Sequence, residues 1–275
     1  MLRRTPLAIA RLEEVRQAQM TVAAAQESEQ IAGGWMSYGG PGSWMNQAVA
    51  LGLAGPVDPT EVDRLIEFYV SRGIEPKIEL CPFAHPTLVR SLSEKGFRIR
   101  EFENIMARAQ KKREDLTALH PHGWPNELEI VEVDATSPDQ VETFIDVSTS
   151  GFRPAGTPVT PALHMATKSY MSQPRCYSYL AVVGGVPVGG SGLDIGDGIG
   201  CLMGTSVLPD WRRQGIQAAL MIHRLDVLRR HGIQLACIHS LPGIPTERNA
   251  TRLGFSMAYT KAIMVRPGKG LLQSP

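Results

Sequence analysis

The sequence predicts a mixed α/β protein built from two similar units, and three observations predict it. Read by hydrophobic period and turn residues, the second half runs β-α-α-β-β-β-α-β-α-β. The first half ends strand–helix–strand–helix–strand. The two halves also close on related text, EKGFRIREFENIMAR and TRLGFSMAYTKAIMVR. Each is a helix end, Gly-Phe and a long strand, with Met-Ala-Arg or Met-Val-Arg near its end. Internal repetition of this kind marks a two-copy fold.

The elements follow in order. Residues 7–26 place Leu, Ile, Val and Ala at helical spacing without Gly or Pro. Gly/Pro turns then divide IAGGWMSYGGPGSWMNQAVALGL into short β-prone runs. Asp58-Pro59-Thr60 starts a helix to about Ser71, with Val62, Leu65, Ile66 and Tyr69 on one face and Gly73 as its stop. A strand at Lys77–Leu80, a helix from Pro86 to Lys95 and the strand FRIREFENIMAR complete the first half. QKKREDLTALHPHGWPNE has no sustained period and reads as a solvated linker over 110–127. His120 and His122 within it are spaced like a ligand pair, but no acid or cysteine cluster accompanies them, and no metal site is expected.

The second half opens with the strand LEIVEVD and helices near 138–150 and 160–171. CYSYLAVV, VPVGGSGLDI and IGCLMGTSVL are strands turning at Gly184-Gly185 and at Gly196-Asp197-Gly198, the latter a hairpin signal. A helix over 214–231, the strand IQLACIHSL, a short helix near 246–253 and the strand FSMAYTKAIMVR close the order. The expected division is 1–109, a linker at 110–127, a second domain at 128–268 and a tail at 269–275.

Composition bounds the function. With 275 residues, 43% hydrophobic and 20% charged, the chain suits a soluble globular protein. Residues 1–137 hold 15 Lys/Arg and 19 Asp/Glu, and residues 138–275 hold 13 and 8, so the halves carry −4 and +5. That basic half suits a phosphorylated ligand and is too sparse for nucleic acid. No run has the ~18 apolar residues of a membrane span. Arg3-Arg4 precede an apolar stretch too short for a signal core. Cys81, Cys176, Cys201 and Cys237 form no C-x-x-C pair and read as reduced thiols. The expected location is the cytoplasm, with neither nucleic acid nor membrane as partner.

The chemistry lies in VLPDWRRQGIQAAL, residues 207–220. Two arginines at a helix start, the end of partial positive charge, are unfavourable unless an anion docks there. Pro209 ends a strand, and the first four N–H groups of the following helix have no partner within it. Gly215 leaves the backbone open to a ligand, and Arg212 and Arg213 add forked donors suited to phosphate. A P-loop G-x-x-x-x-G-K-[ST] is absent here. GSGLDIG at 190–196 is followed by a hairpin instead of a helix, so its glycines read as close strand packing, not a dinucleotide site.

Val207, Pro209, Arg212 and Gly215 match in register the acyl-CoA signature V-x-P-x-x-R-x-x-G-x-[GA], and the second half resembles the GNAT superfamily of N-acetyltransferases. Gln217 replaces the usual small last residue. The first half resembles the same fold in degenerate form, giving two tandem GNAT-like domains. Its counterpart of the signature, LGLAGPVDPTEVDRL, has neither Arg nor Gly at the helix start, its one arginine, Arg64, coming later, and carries Asp58, Glu61 and Asp63, which would repel pyrophosphate.

The resemblance implies acetyl-CoA as co-substrate. Backbone around Thr205, Ser206 and Val207 would hold the pantetheine arm. Amides of Arg213, Gln214, Gly215, Ile216, Gln217 and Ala218 would cradle the pyrophosphate, with Arg212 either a ligand contact or a clamp on the loop. The reaction is attack of a neutral amine on a thioester, which needs a proton acceptor. The tyrosine usual four residues before the Gly-Phe is Ala250 here. His239, Tyr259 and Asp194 are the positional candidates for acid–base work, and Asn249 resembles a family cofactor contact. The expected activity is N-acetylation of a primary amine on a small molecule or peptide, by a monomer or homodimer. The alternative is a non-catalytic acyl-CoA sensor or scaffold.

Overall fold

The computed structural model describes residues 4–120 and 123–273. In chain order the elements are α1 (Pro6–Ala24), β1 (Glu27–Ile31), β2 (Gly34–Tyr38), β3 (Gln47–Val49), α2 (Pro59–Val70), β4 (Lys77–Leu80), α3 (Pro86–Glu94) and β5 (Arg98–Ala109). Then come β6 (Leu128–Glu132), α4 (Pro138–Thr149), α5 (Pro161–Met171), β7 (Cys176–Val183), β8 (Val186–Gly196), β9 (Ile199–Val207), α6 (Ile216–Arg230), β10 (Leu235–Ser240), α7 (Pro245–Arg252) and β11 (Ser256–Val265). No helix among the described residues is long and apolar enough to cross a membrane. No disulfide joins the four cysteines.

The chain forms two compact units. The first comprises Arg4–Ile105 and the chain from Met257 onward, and the second Met106–Ser256. These units cross the expected linear boundaries at both ends. Residues 257–265, expected in the second domain, lie in the first unit. There β11 pairs antiparallel with β4, from Ala262 opposite Leu80 to Val265 opposite Lys77. The supposed linker belongs to the second unit: Leu116 is buried in that unit's core and Thr117–Leu119 forms a 3-10 turn. A hydrophobic anchor at Leu116 is what the charged, proline-rich text around it concealed.

In the first unit the strand order is β1-β2-β3-β4-β11-β5. Leu65, Tyr69, Ile78, Leu88, Leu92 and Met264 share its main core. A second, polar centre is fully buried under α1. The Lys261 ammonium meets Glu14 Oε1 at 2.9 Å and Glu79 Oε2 at 3.2 Å, and donates to Gln17. Burial works to lower the lysine's pKa, but the charges of Glu14, Glu79 and, less, Glu103 outweigh it and the net shift is upward. The Tyr259 hydroxyl donates to Glu14 Oε1 at 2.8 Å. Burial and then the Glu14 charge hold its proton far above the usual range.

The three acids at the start of α2 are all used structurally. Asp58 caps the helix by accepting from the Thr60 amide at 2.8 Å, a bond that also lowers its pKa. Glu61 Oε1 accepts from the Ala32 amide at 2.7 Å, and Asp63 pairs with Lys95.

In the second unit the strand order is β10-β9-β8-β7-β6. Glycines let the helices close on this sheet: a Cβ at Gly190 would stand 2.9 Å from Ser148 Cβ of α4, and one at Gly192 would stand 2.7 Å from the Tyr170 hydroxyl of α5. The close approach these glycines serve is thus of helix to sheet, in place of the strand-to-strand packing expected for GSGLDIG. On the other face Leu193, Leu202, Ile216, Leu220, Leu225 and Leu228 form the core beneath α6.

The buried Lys261 supplies a test of the first unit. Lys261→Met leaves Glu14 and Glu79 without their cation, and removing one partner of a buried pair costs about 3–5 kcal/mol. Equilibrium denaturant unfolding should register a loss of that size, and a change under about 1 kcal/mol would contradict the pairing.

Candidate active site

The site begins where two parallel strands part. β9 and β10 pair from Gly200 opposite Ala236 to Leu202 opposite Ile238. β9 then continues to Val207 against β8 only, while β10 runs on to Ser240. Between the Gly190–Ser206 and Gly192–Met203 pairs β9 has one residue more than β8, and Gly204 takes a φ of 47° in this bulge. Bulges bend a strand and sharpen its twist. Residues 203–207 consequently have an edge that β10 does not cover, able to take an extended ligand by backbone pairing.

A buried cation braces the bulge. From α6, fully buried Arg224 donates through Nη1 to the Gly192 carbonyl at 2.8 Å and the Met203 carbonyl at 3.0 Å. Its Nη2 donates to Thr205 Oγ1 at 2.7 Å and its Nε to the Leu220 carbonyl at 3.0 Å. Burial pulls the guanidinium pKa down to about 10, so it remains charged at neutral pH. Sequence reading missed Arg224. The available signal was an arginine four residues after Leu220 and four before Leu228, on the apolar face of a helix.

Ser206 faces the end of α4, its Oγ 2.8 Å from Ser150 Oγ. After Val207 the chain makes a 3-10 turn over Pro209–Trp211, and Arg212 Nε donates back to the Val207 carbonyl at 3.0 Å. Through Nε the Arg212 side chain clamps the loop. Arg213 then takes φ 64° and Gly215 φ 82°. The left-handed region costs a non-glycine residue such as Arg213 roughly 1–2 kcal/mol. These two reversals start α6 at Ile216, with Gly215 as N-cap and no side-chain cap. The first intrahelical bond is from the Ala219 amide to the Gly215 carbonyl at 3.0 Å. The amides of Gly215, Ile216, Gln217 and Ala218 therefore have no partner in the helix ladder. Exposed Arg213 and Gln214 flank them.

The Gln217 side chain is engaged by α7. Its Nε2 lies 3.4 Å from Thr246 Oγ1, and the Asn249 amide donates to its Oε1. Gln217 and Asn249 thus tie α6 to α7. The supposedly solvated His120 is 7% exposed and sits on the turn, Nε2 3.0 Å from the Gly215 carbonyl. His122 lies outside the described residues.

The acid–base candidates separate. His239 follows the last β9–β10 pair, at the mouth where the strands part, with Ser240 after it. Asp194 is fully buried in β8, its Oδ1 accepting from Arg175 Nε at 3.1 Å. Tyr259 belongs to the first unit and is engaged with Glu14.

Residues 143–255 match the model of the Acetyltransferase (GNAT) family. No curated protein matches the chain. Among solved structures, a GCN5-related N-acetyltransferase from Kribbella flavida is similar over 94% of this chain and 95% of its own, with TM-score 0.69 and 20% identity. A tandem GNAT protein from the clavulanic acid biosynthesis pathway is similar over 92% and 94%, with TM-score 0.58 and 13% identity. A GCN5-related N-acetyltransferase from Sphaerobacter thermophilus is similar over 83% and 75%, with TM-score 0.58 and 17% identity. The parted strands, the bulge and the uncapped helix start all fall within the matched segment: the chain has the fold of GCN5-related N-acetyltransferases, and its residues 143–255 match the GNAT acetyltransferase family model.

Proposed function

We propose that the second unit transfers an acetyl group from acetyl-CoA to a primary amine. GNAT membership implies acyl transfer from an acyl-CoA. The acetyl donor and the amine acceptor are our more specific reading. The observation that carries it is the sequence of an uncovered β9 edge and an uncapped α6 start within 16 residues, Met203 to Ala218. In this reading the pantetheine arm lies along Thr205, Ser206 and Val207. The pyrophosphate rests on the amides from Arg213 to Ala218, with Arg213 supplying charge. Gln217 contributes its amide alone, since its side chain is occupied with α7. Arg212 supports the loop.

The amine nitrogen attacks the thioester carbon, the C–N bond forms, and the oxyanion meets a β9 amide near Val207. The C–S bond then breaks, releasing CoA thiolate. His239 takes the amine proton in this reading, because it stands at the mouth of the parted strands. Asp194 and Tyr259 are less suited: one is bonded to Arg175 and the other holds its proton tightly within the first unit. The first unit has no acyl-CoA site in this reading, because Asp58 occupies the start of α2. A reducing cytoplasm suits four cysteines outside any disulfide.

Thermal unfolding with and without acetyl-CoA tests the cofactor, on the natural chain and on Gly215→Glu. Ligand at a hundred times its Kd stabilises by about 2.7 kcal/mol. The natural chain should show the shift and a folded Gly215→Glu should lose it; no shift in the natural chain would remove the acyl-CoA reading. CoA-thiol release with a panel of amines then separates an enzyme from an acyl-CoA sensor, which would bind without turnover.

Arg224→Met supplies a second test. It strips the donor from the Gly192 and Met203 carbonyls and from Thr205, and buried groups left unpaired cost about 1–3 kcal/mol each. Unfolding should show a loss of roughly 3 kcal/mol or more, with the acetyl-CoA shift reduced. An unchanged shift would mean the bulge does not depend on this cation.

A further inference from the structure

The connector before β6 is a strap along α6. At the far end of that helix, Arg229 Nη1 donates to the Glu114 carbonyl at 2.9 Å, and Arg108 Nη2 bonds the Glu114 carboxylate. Leu116 then enters the core, and the Asp115 carboxylate just before it accepts from the Thr117 amide at 3.0 Å. Six residues after Glu114, His120 reaches the beginning of the same helix. Its Nε2 meets the Gly215 carbonyl at 3.0 Å, and its ring fills the place a side chain at 215 would take. A Cβ built on Gly215 would stand 2.6 Å from His120 Cε1 and 2.9 Å from Nε2. A carbonyl has no proton to give, so Nε2–H is the donor.

We propose that His120 is a positioning residue for acyl-CoA: by bonding the Gly215 carbonyl it fixes the left-handed N-cap from which the free amides at the start of α6 are aimed. This rests on the cofactor reading of the second unit and adds to it a residue outside the signature. The imidazole meets the turn at the Gly215 carbonyl and against its Cα, so its part is to order the turn. The glycine is then required twice, for its φ of 82° and for the ring packed against its Cα. The strap also makes the turn depend on residues that precede the family segment at 143–255.

The test is calorimetric titration of acetyl-CoA into the full chain as the natural protein, His120→Ala and His120→Gln, with unfolding midpoints of each unliganded protein. Loss of one hydrogen bond that orders the binding turn should weaken acetyl-CoA about tenfold in His120→Ala. Glutamine retains a side-chain N–H donor and should recover most of that loss. In turnover the KM for acetyl-CoA should rise while kcat at saturation stays within about twofold, because no reacting atom has lost a contact. Equal impairment of the alanine and glutamine variants, or natural affinity in the alanine variant whatever its unfolding midpoint, would overturn the proposal. A natural protein that takes up no acetyl-CoA would instead refute the cofactor reading and this proposal with it. Retained binding in the natural protein and failure confined to the His120 variants keeps the two outcomes apart.

Discussion

Two neighbouring parallel strands can open a binding edge only if something else keeps the exposed strand in shape. In the second unit that something is Arg224, whose guanidinium reaches two carbonyls and a hydroxyl across the bulge. The bulge turns β9 away from β10 after three residue pairs. Everything that follows inherits the direction it sets: the uncovered edge, the Arg212 clamp on Val207 and the two left-handed residues before α6. A buried arginine bonded to neutral acceptors must keep its geometry to compensate for lost hydration, which makes it a stiff brace.

The first unit meets the same helix-start problem with the opposite solution. Asp58 places a carboxylate against the first amides of α2, and Glu61 and Asp63 are drawn into a turn and an ion pair. A helix start capped by its own side chain has little left to offer an external anion. Its buried polar chemistry has moved to Lys261, Glu14 and Glu79, under α1.

Much of this was legible. Strands at Lys77–Leu80 and Cys176–Val183 and the Asp197-Gly198 hairpin occur where alternating apolar residues and turn chemistry put them. The α6 start was readable because glycine, arginines and a proline signal a turn locally. What escaped reading is what depends on partners distant in sequence. Nothing around His120 announces that its ring will rest against a glycine 95 residues away. Arg224 looks like one more cation on a helix until its turn is counted against Leu220 and Leu228. The last strand is expected in the second domain from its place in the chain, whereas it lies between β4 and β5. Pairing choice between strands of like pattern is set by packing that a linear reading does not contain.

That last pairing bears on how the protein is made. Lys261 and Glu79 are 182 residues apart, yet both belong to the core of the first unit. At about 5–20 residues per second on the ribosome, β4 waits roughly 10–40 s for the strand that completes its sheet. During that interval Glu14 and Glu79 lack their cation and the β4 edge lacks a partner. A nascent chain in this state exposes an unpaired strand edge, the kind of surface that chaperones shield and that other chains can capture. The order of translation, and not only the final contact map, decides when the first unit becomes a folded body.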